Sequence, residues 1–423
     1  MTLKLREQTL VLEGGRRLSG SVQVGGSKNA TLGAMAASLL VADDCILENV
    51  PNIDDVEQMA LVLRSLGCLV EWAGDRTLRL NAAEITSSCP DRELVGTLRG
   101  SFLVMGALLG RLGEAACPPP GGDIIGQRPI DVHLAGFRSL GAETEVSHEM
   151  FRAQATELRG STFFADYPSV LGTQNTMMAA VCAKGVTTIV NAAAEPEVQS
   201  LAAMLNQMGA DIAGAGTNTI AINGVGALHG VRFRIIPDRI EAGTFAIAAA
   251  MTGGEAEIRG VEPSHMQGVE AKLRQAGVDV QTSGDLMRVK AGGELQALTL
   301  QALPYPGFPT DLQAPMAVLL TQARGVSTVH ERVFDNRLGY ISDLRKMGAE
   351  IVTTGTTAAI ITGPTPLSGS ALTALDVRAG AAFILAGLAA NGRTTVSDIY
   401  HVDRGYERID EKLRSLGADI ERI

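Results

Sequence analysis

Apolar and polar positions along this chain follow one pattern, written six times. Its clearest line is a recurring phrase: "LRSLGCLVEW", "FRSLGAETEV", "LNQMGADIAG", "LRQAGVDVQT", "LRKMGAEIVT" and "LRSLGADIER". Each predicts the end of an amphipathic helix, a glycine stop in the left-handed conformation, and then a strand. The glycines are Gly67, Gly141, Gly209, Gly277, Gly348 and Gly417, at intervals of 74, 68, 68, 71 and 69 residues. Ahead of each phrase stand a helix apolar nearly all round, such as "SFLVMGALLG" or "TFAIAAAMTGG", and a short β-branched strand. Two strands follow it, as in "CLVEWAGDRTLRLNA". A helix with no polar face belongs inside, and one with a polar face belongs at the surface.

A repeat of about 70 residues decides the fold. The sixth copy stops at "LGADIERI", short of its last strands. Those strands stand at the other end of the chain: "LVLEGGRRLSGSVQV" matches "AAIITGPTPLSGSALTAL", down to Leu-Ser-Gly-Ser at 18–21 and 367–370. The expectation is an α/β protein of two three-repeat domains. One spans residues 21–236. The other joins residues 1–20 to residues 237–423. Two chain crossings, near Gly20 and Pro237, would make a hinge for closure.

Composition narrows the class. Of 423 residues, 46% are hydrophobic and 19% charged, which is globular. A net charge of −10 argues against nucleic acid or an anionic membrane as partner. The first residues lack the apolar core of a signal peptide, and no apolar run is long enough to span a bilayer. A cytoplasmic location without membrane insertion is expected, and no obligatory protein partner is evident. The five cysteines form no CxxC pair and the six histidines no metal spacing, so neither a metal nor a disulfide framework is indicated. There is no GxxxxGK[ST] and no dinucleotide fingerprint, which leaves ATP and NAD without support.

Charged and polar residues gather just ahead of the apolar helices: Ser27-Lys28-Asn29, Arg99, Ser169, Asp238-Arg239, Asp311 and Arg378. Helix capping could account for Asp238, Asp311 and Ser169. It cannot account for Lys28, Arg99 or Arg378, because a cation at a helix N-terminus opposes the dipole. A cation there makes sense where an anion is held by both. Arg128, Arg337 and Arg404 add guanidiniums suited to carboxylate and phosphate. Otherwise each is a surface charge or an ion pair with Asp335 or Asp403. The set points to a small polyanionic substrate between two domains.

With these residues in place, the chain resembles the enolpyruvyl transferases, and among them the branch whose acceptor is UDP-N-acetylglucosamine. The likeness runs the whole length through "SKNA" (27–30), "TLRGS" (97–101), "IGQRPIDVH" (125–133), "PDRIEAGTF" (237–245), "FPTDLQA" (308–314), "DNR" (335–337), "DVRA" (376–379) and "DRGYERI" (403–409). It implies a two-domain inside-out α/β barrel, each domain of three βαβαββ units. The implied reaction moves the enolpyruvyl group of phosphoenolpyruvate to the 3′-hydroxyl of UDP-N-acetylglucosamine and releases phosphate, the first committed step of peptidoglycan synthesis. It needs no metal or organic cofactor. Carried over by position, Lys28, Arg99 and Arg128 face the phosphate, and Arg337, Arg378 and Arg404 the carboxylate. Asn29, Pro129, Asp131, Ser169, Val170 and Val333 line the nucleotide sugar, and Asp311 takes the proton from the attacking hydroxyl.

Two positions depart from the family pattern. In the loop "CPPPGGDIIGQRPID" (117–131), Asp123 stands where the family usually has cysteine. A carboxylic acid can donate a proton as a thiol can, so activity is expected to survive. The family's epoxide inhibitor fosfomycin alkylates that thiol, so resistance is expected. This loop lies inside the longest repeat interval, which marks it as an active-site lid, with Cys117 a bystander. The second departure is Leu171, where glycine is more usual. Rival readings are an enolpyruvyl transferase acting on shikimate-3-phosphate or a nucleoside, and a non-catalytic six-unit ring comparable with a sliding clamp. A clamp would need many cations over its inner face, whereas these are few and stand at helix starts.

Overall fold

All six repeat glycines have positive φ, between 88° and 101°, and each follows the end of an outer helix. The helix-stop reading of the repeated phrase is therefore a backbone fact at every copy. The computed structural model describes residues 8–123, 125–126 and 129–423.

The chain divides into two compact units. The flanking unit comprises Met1–Gly25, Asp123–Arg128 and Pro237–Ile423; the inserted unit comprises Gly26–Gly122 and Pro129–Ile236. Each has its own hydrophobic core. Residues 21–25 group with the flanking unit, because strand Ser19–Gln23 pairs in parallel with Glu255–Arg259, Ser21 opposite Glu257. A boundary at Gly20 would cut that strand. The short segment Asp123–Arg128 also groups with the flanking unit.

In the flanking unit the apolar helices are Arg239–Met251, Gln313–Thr321 and Val377–Ala389, and they pack on one another. From Ile240 to Met251 and from Val377 to Leu388 every residue is buried. Among the described residues, three four-stranded sheets and the polar-faced helices Pro263–Gln275, Ile341–Lys346 and Ile409–Ser415 surround them in sequence order. Strand Leu10–Glu13 lies antiparallel between Arg393–Ser397 and Asp419–Arg422, with Leu10 opposite Val396 and Arg422. The N-terminal strand thus completes the sixth repeat, as the Leu-Ser-Gly-Ser match implies.

The inserted unit repeats the plan with apolar helices Lys28–Ala37, Val104–Leu112 and Val170–Ala180. Its polar-faced helices are Asp54–Ser65, Asp131–Ser139 and Pro196–Gln207. Two of its sheets have four strands and one has three. Close helix approach explains one small residue: a methyl on Gly106 would stand 2.2 Å from the Asn175 carbonyl oxygen. Among the described residues no helix is long and apolar enough to cross a membrane.

Candidate active site

In the flanking unit the chemistry collects around Asp311. This residue sits in the 3-10 turn Thr310–Leu312, just before the helix Gln313–Thr321. Capping does not explain it. Its two carboxylate oxygens accept from two guanidiniums, Arg337 Nη2 and Arg378 Nη2, each at 2.8 Å. Both arginine side chains are buried, at 7% and 6% exposure, whereas Asp311 keeps 23%. Arg337 therefore pairs with Asp311, not with its sequence neighbour Asp335. Its Nη1 donates to Thr310 Oγ1 at 2.7 Å, and its guanidinium lies over the Phe334 ring.

Arg378 begins the buried helix Val377–Ala389, whose first turn is capped by Asp376 through the N–H groups of Arg378 and Ala379. The guanidinium stacks on the Tyr406 ring, 5.3 Å from its centroid. Burial alone would lower its pKa; the Asp311, Tyr406 and Asp238 groups outweigh that and raise it. A cation buried on a helix start is stable here because a carboxylate faces it.

Arg404 follows the short helix Tyr400–Asp403 and contacts the Asp123 carboxylate directly. Both are largely buried, at 15% and 16% exposure. The neighbouring Asp403 instead accepts from Arg422, at 2.8 and 2.9 Å, so it is not the partner of Arg404. Gly126 packs against Asp335: a methyl on it would come within 2.0 Å of Asp335 Oδ1. Asp123 and Gly126 thus each pack on a residue of this same unit. Nearby His401 is held neutral, its pKa lowered by burial and by Arg404 against the opposing pull of Asp123, Asp376 and Asp398.

Cys117, by contrast, ends strand Glu114–Cys117 inside the core of the inserted unit and has no exposure. Burial drives its thiol pKa far up, which keeps it protonated and inert.

The inserted unit presents its expected residues at four helix starts. Lys28 opens the first apolar helix, behind the Ser27 cap, and pairs with the buried Asp55 at 2.5 Å. Asn29 beside it is exposed. Arg99 opens the 3-10 turn Arg99–Leu103, which abuts the first helix where Gly100 meets Leu32. Asp131 opens the helix Asp131–Ser139, and Ser169 caps the helix Val170–Ala180 through the Gly172 N–H. These last two starts also abut, at Val132 and Gly172. Leu171 packs partly against the core. Pro129 is exposed, and Val333 is half-buried in the flanking unit. Arg128 lies outside the described residues.

In this structure the anions that face four of these cations belong to the protein: Lys28 pairs with Asp55, Arg337 and Arg378 with Asp311, and Arg404 with Asp123.

Sequence reasoning missed Glu331, Thr310, His133 and Asn175. Glu331 stands 2% exposed at the end of strand Gly325–Glu331. Strand alternation puts it on the inward row with Ser327 and Val329, the one signal that could have singled it out. His133 and Asn175 are internal to helices and give no such signal. Asn175 Nδ2 donates to Phe102 O at 3.0 Å and meets His133 Nδ1 at 2.8 Å, while its Oδ1 accepts the Gly106 N–H at 2.7 Å. It binds the Arg99 turn and the Asp131 helix to the Ser169 helix.

Comparison with known proteins shows the family. A profile of the EPSP synthase (3-phosphoshikimate 1-carboxyvinyltransferase) family matches residues 12–413. UDP-N-acetylglucosamine 1-carboxyvinyltransferase 1 of Caldanaerobacter subterraneus subsp. tengcongensis is 48% identical over 413 residues, covering 97% of this chain and 99% of its own. UDP-N-acetylglucosamine 1-carboxyvinyltransferase 2 of Carboxydothermus hydrogenoformans is 48% identical, covering 98% and 99%. Among solved structures, the enolpyruvyl transferase NikO from Streptomyces tendae superposes with a TM-score of 0.89 at 27% identity, over 98% of this chain and 99% of that one. The chain therefore belongs to the EPSP synthase (3-phosphoshikimate 1-carboxyvinyltransferase) family, the enolpyruvyl transferases.

Proposed function

We propose that this protein transfers the enolpyruvyl group of phosphoenolpyruvate to the 3′-hydroxyl of UDP-N-acetylglucosamine, releasing phosphate and feeding peptidoglycan synthesis. The observation that carries the acceptor is the 48% identity, over nearly the whole of both chains, to two UDP-N-acetylglucosamine 1-carboxyvinyltransferases.

The residues have work to do in each step. Arg337, Arg378 and Arg404 hold the carboxylate of phosphoenolpyruvate, and Lys28, Arg99 and Arg128 its phosphate. Asn29, Pro129, Asp131, Ser169, Val170 and Val333 bind the nucleotide sugar. Arg404 leaves Asp123 for the substrate carboxylate. Asp123, without its counter-ion, takes a proton from solvent and delivers it to C3. C2 then becomes oxocarbenium-like, stabilised by fixed charges and not by water. The sugar 3′-oxygen attacks C2 while Asp311 accepts its proton. The tetrahedral intermediate loses phosphate as the C3 proton returns to Asp123, and the proton taken from the hydroxyl leaves Asp311 with the released phosphate. The two guanidiniums on Asp311 hold its oxygens in place, which favours a fixed line of proton transfer.

Asp123 in place of a thiol also supports fosfomycin resistance, because the epoxide then meets no soft nucleophile at that position. The test of the function is phosphate release from the two substrates, with shikimate-3-phosphate as the alternative acceptor.

A further inference from the structure

A carboxylate at the buried end of a strand needs donors on both oxygens. Glu331 has them. Its Oε1 accepts the Val333 N–H at 2.8 Å and the Phe334 N–H at 3.2 Å. Its Oε2 accepts the Thr310 hydroxyl at 2.8 Å. A threonine has one hydroxyl proton, so giving it to Glu331 turns a lone pair toward Arg337. Arg337 Nη1 donates to that lone pair at 2.7 Å, and its Nη2 donates to Asp311 Oδ1 at 2.8 Å. The Phe334 ring, whose own N–H is held by Glu331, backs the same guanidinium at 5.2 Å. Every bond in this chain runs one way, from guanidinium to hydroxyl to carboxylate.

We infer that Glu331 and Thr310 are positioning residues for the reaction, acting through Arg337 to orient the Asp311 carboxylate. This rests on the proposed transfer, in which Asp311 is the base. Neither residue need touch substrate. Glu331 sets the hydroxyl rotor of Thr310, Thr310 sets the plane of Arg337, and that plane sets Asp311. The same carboxylate orders the Val333 turn, so the acceptor-binding segment and the base share one anchor. Burial raises the Glu331 pKa, with the Val333 N–H and the Thr310 hydroxyl opposing it.

The experiment compares wild type with Thr310→Val, Thr310→Ser and Glu331→Gln, measuring kcat and both KM values by phosphate release, with a thermal melt of each. Thr310→Val keeps shape and removes the relay. Its kcat is expected to fall about 30- to 100-fold, the scale of a base misplaced by an ångström. KM for the sugar nucleotide should stay within about threefold, since Val333 remains held. Thr310→Ser restores the hydroxyl and should recover kcat to within about threefold of wild type. Glu331→Gln keeps Oε1 for the two N–H groups but faces Thr310 with a donor, and should repeat the kcat loss. A role in stability alone would lower the melt and leave kcat of the folded protein unchanged. Folded Thr310→Val or Glu331→Gln with wild-type kcat overturns the inference, as does a serine variant as slow as the valine one. An inactive wild type overturns the proposed function instead, and the positioning role falls with it.

Discussion

Arg378 Nη2 donates to Asp311 Oδ2 at 2.8 Å, and the guanidinium that makes this bond is almost wholly buried. Asp311 therefore both balances a buried cation and, on the proposed mechanism, accepts the proton of the attacking hydroxyl. Asp311→Asn should lose both roles. We expect kcat to fall by about 10²- to 10⁴-fold, the range for a lost general base. Stability should fall too, by about 2 kcal/mol. That is less than the roughly 3–5 kcal/mol for breaking a fully buried pair, since Asp311 keeps some exposure. Steady-state kinetics and urea melts at one pH check the two effects separately.

Asp123 faces Arg404, while the thiol of Cys117 lies inside a core. Wild type should therefore gain no mass on incubation with fosfomycin and keep its activity. Asp123→Cys should stay active and acquire one adduct with loss of turnover. Intact-protein mass spectrometry reads both. An adduct on wild type, at Cys117 or anywhere that stops turnover, would contradict the assignment.

His133 is buried completely, with its pKa pushed down to about 3 by burial and by Arg99. Its Nδ1 meets the amide nitrogen of Asn175, which already donates to Phe102 O, so the ring must accept and stay neutral. The unfolded histidine titrates near 6.5, and the folded one does not until far lower. Stability from this site is thus complete above about pH 6.5 and declines as pH falls toward 3, by up to about 1.4 kcal/mol per unit. Between pH 7 and pH 5 wild type should lose about 2 kcal/mol more than His133→Gln. Equal losses in urea melts would remove His133 from the account.

Gly126 has a φ of 114° and sits against Asp335 with no room for a methyl. Gly126→Ala should prevent the loop from seating and lower kcat about tenfold or more, by misplacing Asp123. Core packing does not involve it, so the thermal midpoint should barely move. Unchanged kcat would show that this seating is irrelevant to turnover.

Much of the fold was legible because a repeat multiplies weak signals. One Leu-Gly phrase is ambiguous, whereas six of them at near-constant spacing, all ending on a left-handed glycine, leave few alternatives. The closing strand Leu10–Glu13 was legible for the same reason. Ranking single residues went less far. Asp311 read as a possible cap, because sequence shows a helix start but not the two guanidiniums arriving from residues 337 and 378. Lys28 read as a cation for a substrate anion, since nothing in local sequence brings Asp55 to it. Glu331 and Asn175 act through bonds to partners 21 to 73 residues away, which no local pattern records.

The most direct measurement incubates the purified protein with phosphoenolpyruvate and either UDP-N-acetylglucosamine or shikimate-3-phosphate, and follows phosphate together with the mass of the acceptor. We predict phosphate release only with UDP-N-acetylglucosamine, matched mole for mole by its enolpyruvyl ether. Release with shikimate-3-phosphate instead, or no release with either acceptor, would contradict the account.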